Sequence, residues 1–341
     1  MKLIKTEDAV GQVLCHDITQ IIKGVTKDAV FRKGHVVTKE DIPVLLSVGK
    51  EHLYVWEKDE NMLHENEAAK VLYEMAAGSS SYISPSEVKE GKIELIAKTD
   101  GLFKVDSFLL KKVNSLGEMM IASRHGNTAV KAGDKLAGTR IIPLVIEKEK
   151  MKRARDMCTG RPIFRILPFE AKKYAVITTG NEVYKGRIED TFTDVIKEKL
   201  SEYGAECMYH EVCPDDHEVI TASIRTALSI GARLVICTGG MSVDPDDKTP
   251  LAIKNSGVDI VTYGAPVLPG AMMLLSYTKS YIPVVGLPGC VMYAKRTIFD
   301  LILPRLMADD MINADEIAAL GEGGLCLGCD VCVYPNCGFG K

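Results

Sequence analysis

The sequence predicts an α/β protein whose main domain is three layers around a mostly parallel sheet, preceded by small β-rich N-terminal and linker modules. Three observations carry that class. From Lys172 onward, short apolar runs alternate with amphipathic stretches of helical length. Three of the apolar runs empty into glycine turns, at Gly180, at Gly239-Gly240 and at Gly289. The first half lacks this rhythm and holds shorter, turn-rich segments.

Tyr174 to Thr178 reads as the first strand. Thr193 to Tyr203 follows as a helix with Val195, Ile196, Leu200 and Tyr203 on one face. Ala205 to Cys213 is a second strand. Asp215 and Asp216 offer an N-cap to a helix carrying Val219, Ile220, Ile224, Ala227 and Leu228, which Gly231 stops. Leu234 to Cys237 and Ile282 to Val285 are further strands. A helix after the last of these sets Val291, Ala294, Ile298, Leu301 and Ile302 inward. Strands and helices alternating at these lengths imply parallel pairing through crossovers. Ligands of such sheets bind beyond the carboxyl ends of the strands, so the three glycine turns should share one crevice.

The run Arg233 to Pro250 concentrates the chemistry. Its strand opens into Thr238-Gly239-Gly240-Met241-Ser242, then Asp244, Asp246 and Asp247, then Lys248-Thr249-Pro250. Glycines let backbone N–H groups and the Thr238 and Ser242 hydroxyls approach an anion closely. The acids supply hard oxygen ligands for Mg²⁺, which is held by one or two carboxylates plus substrate phosphates. Phosphate handling with a divalent ion is one reading; a solvated acidic loop is the other.

Four blocks in order resemble the molybdopterin-binding domain of MogA-type, MoeA-type and CinA-like proteins. They are Thr179-Gly180-Asn181-Glu182-Val183, Gly186-Arg187-Ile188-Glu189-Asp190-Thr191, Thr238-Gly239-Gly240-Met241-Ser242 with Asp247, and Leu287-Pro288-Gly289-Cys290. The family shows T-G-D-E-[LIV], G-x-[IL]-x-D-[TS], T-G-G-x-[ST] with a downstream acid, and L-P-G-N-P. The likeness covers residues 170–307 and implies the MogA-like fold. It further implies that Thr179, Gly180, Asn181, Thr238, Gly239, Gly240, Ser242, Pro288 and Gly289 bind molybdopterin or its adenylylated form. Asp247, Glu182 and Asp190 become the catalytic acids near metal and pterin, with Mg²⁺ on Asp247. Asn181 stands where the family has an acid, and Cys290-Val291 where it has Asn-Pro. Asp246-Asp247-Lys248-Thr249-Pro250 leans toward the MogA-type run. Asp190 could instead cap the helix beginning near Thr193, worth about 1 kcal/mol, and Glu182 could be a solvated turn residue.

The resemblance implies an enzyme of molybdenum-cofactor biosynthesis, a molybdopterin molybdenumtransferase that assists Mg-dependent molybdate insertion with AMP release. MogA-like adenylyl transfer and a non-catalytic pterin carrier or redox-sensing adaptor are the alternatives. The partners are then small-molecule pterin and molybdate, and the relatives are homo-oligomers.

Ahead of this domain, Phe31 to Ile42, a helix and His52 to Trp56 resemble a MoeA segment that elsewhere directly precedes the binding domain. Residues 1–60 are read as that module and 61–165 as a linker region, with a helix from Glu65 to Ala77 and a strand from Thr139 to Ile146. The binding domain takes 166–310. The tail, 311–341, holds Cys326, Cys329, Cys332 and Cys337 in C-x2-C-x2-C-x4-C spacing. Ferredoxin-type runs use C-x2-C-x2-C with a more distant fourth ligand, and structural zinc more often uses two separated knuckles. An iron–sulfur cluster or Zn²⁺ is expected there, and with it a molybdoenzyme or electron-transfer partner.

A chain of 341 residues implies two or three domains. No long apolar run marks a signal peptide or membrane span, and ten cysteines without one point to a reducing, cytoplasmic setting. The net charge of −4 argues against general nucleic-acid binding.

Overall fold

The computed structural model describes residues 2–22, 26–55, 60–242, 244–245 and 247–341; Trp56 and Asp246 lie outside the described residues. Contacts divide the chain into two units. One comprises residues 1–98, 105–124 and 132–165, the other 99–104, 125–131 and 166–341.

In the first unit, strand Lys2–Lys5 pairs antiparallel with His52–Val55, and Ile18–Ile22 pairs with Thr26–Phe31. Leu14, Ile18, Val37, Leu45 and Leu53 form the buried centre of this part. The helix Glu65–Ala77 has the bounds its sequence predicts, because both sides of its N-terminus are satisfied. His64 Nδ1 accepts from Asn66 N–H at 3.2 Å, and Glu67 Oε2 accepts from His64 N–H at 3.1 Å. An antiparallel sheet runs in the order Ile83–Pro85, Lys92–Ala97, Lys135–Ile141, Met119–Ser123. The strand expected from Thr139 to Ile146 is two strands, Lys135–Ile141 and Val145–Glu147. Pro143 lies between them and has no N–H to give a ladder.

The second unit holds the expected three-layer domain. Its elements in chain order are β1 (Lys173–Thr179), α1 (Asn181–Tyr184), α2 (Phe192–Ser201), β2 (Glu206–Cys213), α3 (His217–Ser229) and β3 (Leu234–Thr238). There follow α4 (Thr249–Asn255), β4 (Asp259–Tyr263), β5 (Leu274–Tyr277), β6 (Pro283–Leu287) and α5 (Ile298–Met307). The sheet order is β2-β1-β3-β6-β5-β4. β2, β1, β3 and β6 are parallel; β5 and β4 run antiparallel at one edge.

Alternation along β1 builds both faces of the sheet. Tyr174 and Val176 join Ile196 and Leu200 of α2 and Ile302 and Leu306 of α5 in one core. Ala175 and Ile177 join Ile220, Ile224 and Ala227 of α3 and Ile253 of α4 in the other. A strand buried on both faces reads as a continuous apolar run, as β1 and β3 do.

One helix differs from its sequence prediction. Val291 lies in a short turn, Gly289–Met292, and Ala294 precedes the helix, so α5 begins only at Ile298. Thr297 sets that start. Its hydroxyl accepts from Phe299 N–H at 3.2 Å, and Asp300 Oδ2 accepts from Thr297 N–H at 2.8 Å.

Candidate functional site

β1, β3 and β6 are neighbours in the sheet and parallel, so their carboxyl ends bring three loops to one edge. The loops interlock through glycines. A Cβ on Gly239 would lie 2.1 Å from Thr179 O, and one on Gly240 would lie 2.8 Å from Thr249 Oγ1. Both glycines have positive φ, +85° and +53°. Thr179 Oγ1 and Thr249 Oγ1 complete the junction at 2.9 Å. Met241 wedges the second loop onto β6: a Cβ on Gly286 would meet its Sδ at 2.6 Å. Thr191 Oγ1 donates to Met292 Sδ at 3.2 Å, tying the chain entering α2 to the third loop.

Asp190 is half-buried at the start of α2. Its Oδ1 accepts from Phe192 N–H and Thr193 N–H, each at 3.0 Å, so it takes the capping position at the start of α2. Its Oδ2 accepts from Thr193 Oγ1 at 2.6 Å and Thr178 Oγ1 at 2.9 Å, and His210 Nε2 lies 3.2 Å away. Burial pushes this carboxyl up, but the hydrogen bonds from Thr193 and Thr178, with His210 beside them, outweigh it and hold the pKa low. Stability from such a group is complete above its unfolded pKa, about 4, and is lost as pH falls through the lower folded value. Asp190→Ala is expected to cost about 1–2 kcal/mol at neutral pH. It should also flatten the loss of stability in acid, read by urea unfolding between neutral pH and pH ~3. Parallel acid limbs in parent and variant would count against this account.

Asp247 Oδ2 accepts from Ser242 N–H at 2.6 Å, closing a turn of which Asp244 O also accepts from Asp247 N–H at 3.0 Å. Oδ1 of Asp247 has no protein partner among the described residues. Glu182 is exposed at the start of the first loop, and its Oε2 stands 3.1 Å from where a Gly180 Cβ would sit. Asn181 is half-buried and Ser242 exposed. In the third loop Pro288 is buried and Gly289 exposed, with open space where a Cβ would go. Burial pushes the Cys290 thiol up, which keeps it protonated and neutral. Thr238 Oγ1 is buried with no hydrogen-bond partner among the described residues. Functional sites are where such unsatisfied groups persist.

Two contributions escape the sequence motifs. Asp215 Oδ2 accepts from Asn181 N–H at 2.9 Å, so the loop after β2 brings a carboxylate to the position where Asn181 itself lacks one. Asp216 alone caps α3, accepting from Glu218 N–H at 2.8 Å. Two adjacent acids where one cap suffices were the available signal. His210, midway along β2, had none. Among the described residues no three His, Cys, Asp or Glu side chains converge as a metal-ligand group.

Residues 175–308 match the family described as a probable molybdopterin binding domain. Over those residues the chain is similar to that family. Residues 3–57 match a domain of unknown function. The chain is 37% identical over 91 residues to a CinA-like protein of Thermosipho melanesiensis, covering 26% of this chain and 22% of that protein. It is 35% identical over 82 residues to the molybdopterin adenylyltransferase of Pyrococcus furiosus, covering 24% and 48%. A molybdopterin molybdenumtransferase of Synechococcus elongatus is 26% identical over 180 residues, 50% of this chain and 42% of that protein. The chain thus spans less than half the length of these relatives. No helix among the described residues is long and apolar enough to cross a membrane.

Proposed function

We propose that the three interlocked loops bind the phosphate groups of molybdopterin or adenylyl-molybdopterin, and that the protein is a molybdenumtransferase in molybdenum-cofactor biosynthesis. The observation that carries this is the junction of Gly239 and Gly240 with Thr179 and Thr249. It presses two strand ends together and leaves exposed backbone at Gly289 for a ligand to approach.

The roles follow from position. Backbone N–H groups of Gly239, Gly240 and Gly289, with the Ser242 and Thr238 hydroxyls, are the donors for phosphate oxygens. Thr179, Gly180, Asn181 and Pro288 shape the cradle. Mg²⁺ fits Asp247, whose Oδ1 has no partner among the described residues while Ser242 N–H orients the other oxygen, and exposed Glu182 stands as a second carboxylate. Bound there, the ion would withdraw charge from the phosphoanhydride that breaks when AMP leaves. Asp190 is a positioning residue, holding the entry to α2. Asp215 fixes the backbone of Asn181. In this reading the protein is a cytoplasmic homo-oligomer, pterin and molybdate are its substrates, and a molybdoenzyme receives the product. The tail thiols carry a separate metal group, iron–sulfur or zinc, and with it an electron-transfer partner.

Anaerobic binding of adenylyl-molybdopterin, followed by Mg²⁺ and molybdate, tests the assignment through AMP release. Molybdate-dependent release that falls at least tenfold in Asp247→Ala, with pterin still bound, is the expected result. One run favours a second reading. Asp247-Lys248-Thr249-Pro250 places Thr249 in the loop junction and resembles the MogA-type motif, which supports adenylyl transfer from ATP to molybdopterin. Pyrophosphate release with ATP and molybdopterin, and no AMP release with molybdate, would decide for it. Tight pterin binding with neither release would make the protein a carrier.

A further inference from the structure

Beyond α5 the chain returns across the second unit in a docked tail. Leu268 N–H donates to Gly324 O and Cys326 N–H to Leu268 O, both at 2.8 Å. Tyr334 Oη donates to Asp300 O at 3.1 Å, and Phe339 is buried in the core formed with α5. A Cβ on Gly340 would lie 2.4 Å from Leu301 Cδ2, so the last turn is pressed onto that helix. The tail is anchored at both ends, and the stretch between them surrounds a space. Cys326, Cys329, Cys332 and Cys337 all line that one cavity, about 480 Å³ in volume, together with Lys295 and Arg296. None of the four is in a disulfide.

We propose that this cavity holds a four-iron iron–sulfur cluster, each of the four cysteines ligating one iron. The assignment stands apart from the pterin chemistry and selects between the two metals named for the tail. Size is the first reason. Tetrahedral zinc gathers its four sulfurs about 2.3 Å from a single point and leaves no space among them. Here the thiols border a volume far larger than an ion. A cubane instead spreads its thiolates over separate corners. Spacing is the second reason: three cysteines two residues apart are the C-x2-C-x2-C part of a cluster-type run, not a pair of knuckles, and the cavity rather than the spacing brings Cys337 in as the fourth.

Charge is the third. A cluster on four thiolates is a net anion, and the wall supplies cations. Lys295 Nζ donates to Asp330 O at 2.7 Å and to Cys329 O at 3.4 Å. The Arg296 guanidinium reaches the Cys332 sulfur, lies 4.9 Å from the centre of the Tyr334 ring, and is anchored by Asp300 Oδ1 at 2.9 Å. Cys326 and Cys337 are half-buried against the core while Cys329 and Cys332 are exposed, so one edge of the cluster faces solvent. Each thiol releases its proton to solvent as it binds iron; iron and sulfide come from outside the protein.

The full chain, purified anaerobically, would be incubated with ferrous and ferric iron and sulfide, or with zinc, then desalted and assayed. About four irons and four acid-labile sulfides per chain are expected, with visible absorption that bleaches on reduction. A Cys329→Ser/Cys332→Ser double variant should retain at least fivefold less iron. Both residues are exposed, so its thermal transition without metal should match the parent. Stoichiometric zinc that iron and sulfide do not displace, no retained metal, or unchanged iron in the double variant would each overturn the proposal. Binding of adenylyl-molybdopterin, measured on the same samples, reports separately on the loop site.

Discussion

Gly239→Ala is expected to destabilise the parallel-sheet domain by roughly 2–6 kcal/mol, since overpacking and a non-glycine residue at positive φ each cost about 1–3. The methyl would land 2.1 Å from the carbonyl oxygen of Thr179, which is backbone at the end of a central strand. No rotamer change relieves that contact. Either β1 and β3 separate at their carboxyl ends, or the second loop lifts away from the first. Both outcomes undo the pairing of Thr178 with Thr238 and the hydroxyl contact between Thr179 and Thr249. Gly289→Ala is the matched control. Its φ is not in the left-handed region and its Cβ would point into open space, so stability should change by no more than about 0.5 kcal/mol. If the third loop receives a phosphate, that same methyl stands in the ligand's way and pterin affinity falls. Urea unfolding and pterin binding on the two variants therefore separate packing from recognition. Equal stability of Gly239→Ala and the parent would show that the loops are not locked as described.

The contrast between these two glycines also shows what a sequence can and does not reveal. Strands β1, β3 and β6 were legible because burial on both faces removes polar residues from them, leaving runs such as Leu234 to Cys237. Glycines at their ends announced a shared edge. Which glycine is demanded by packing and which stays open is a matter of the atoms opposite, and those come from segments tens of residues away. Asp190 illustrates the same limit. Its place in a family motif and its place before a helix were both visible, but only the fold sets Thr178 and His210 against the same carboxylate. Asp215 was visible as an acid and invisible as the partner of Asn181 N–H, since that contact joins two loops across the sheet edge. The late start of α5 was missed for a local reason: Val291 and Ala294 fit an apolar helical face, yet the Thr297–Asp300 capping pair overrides them.

That capping pair leads to the second large effect. Asp300→Ala is expected to cost about 3–5 kcal/mol, the range for removing one partner of a buried ion pair. Asp300 is 4% exposed and serves three elements at once. Its Oδ1 accepts from Lys199 Nζ of α2 at 2.6 Å and from Arg296 Nη1 at 2.9 Å, and its Oδ2 accepts from Thr297 N–H at 2.8 Å. Truncation leaves the half-buried cations without their counter-charge and opens the N-terminus of a helix that is buried nearly all round. Asp300→Asn should recover part of the loss, because an amide oxygen still accepts from Thr297 N–H while the ionic contribution is gone. Denaturant unfolding at neutral pH ranks the three proteins, and a loss under about 1 kcal/mol in the alanine variant would place the contacts among weak surface pairs. The effect should also reach the tail. Arg296 is held at the cysteine cavity by Asp300, so releasing it leaves an anionic cluster less compensated. In Asp300→Asn, which keeps the helix cap, a reconstituted cluster should then be lost faster to a chelator than in the parent. Unfolding energy and cluster lifetime thus read two consequences of one carboxylate, the first through α5 and the second through Arg296.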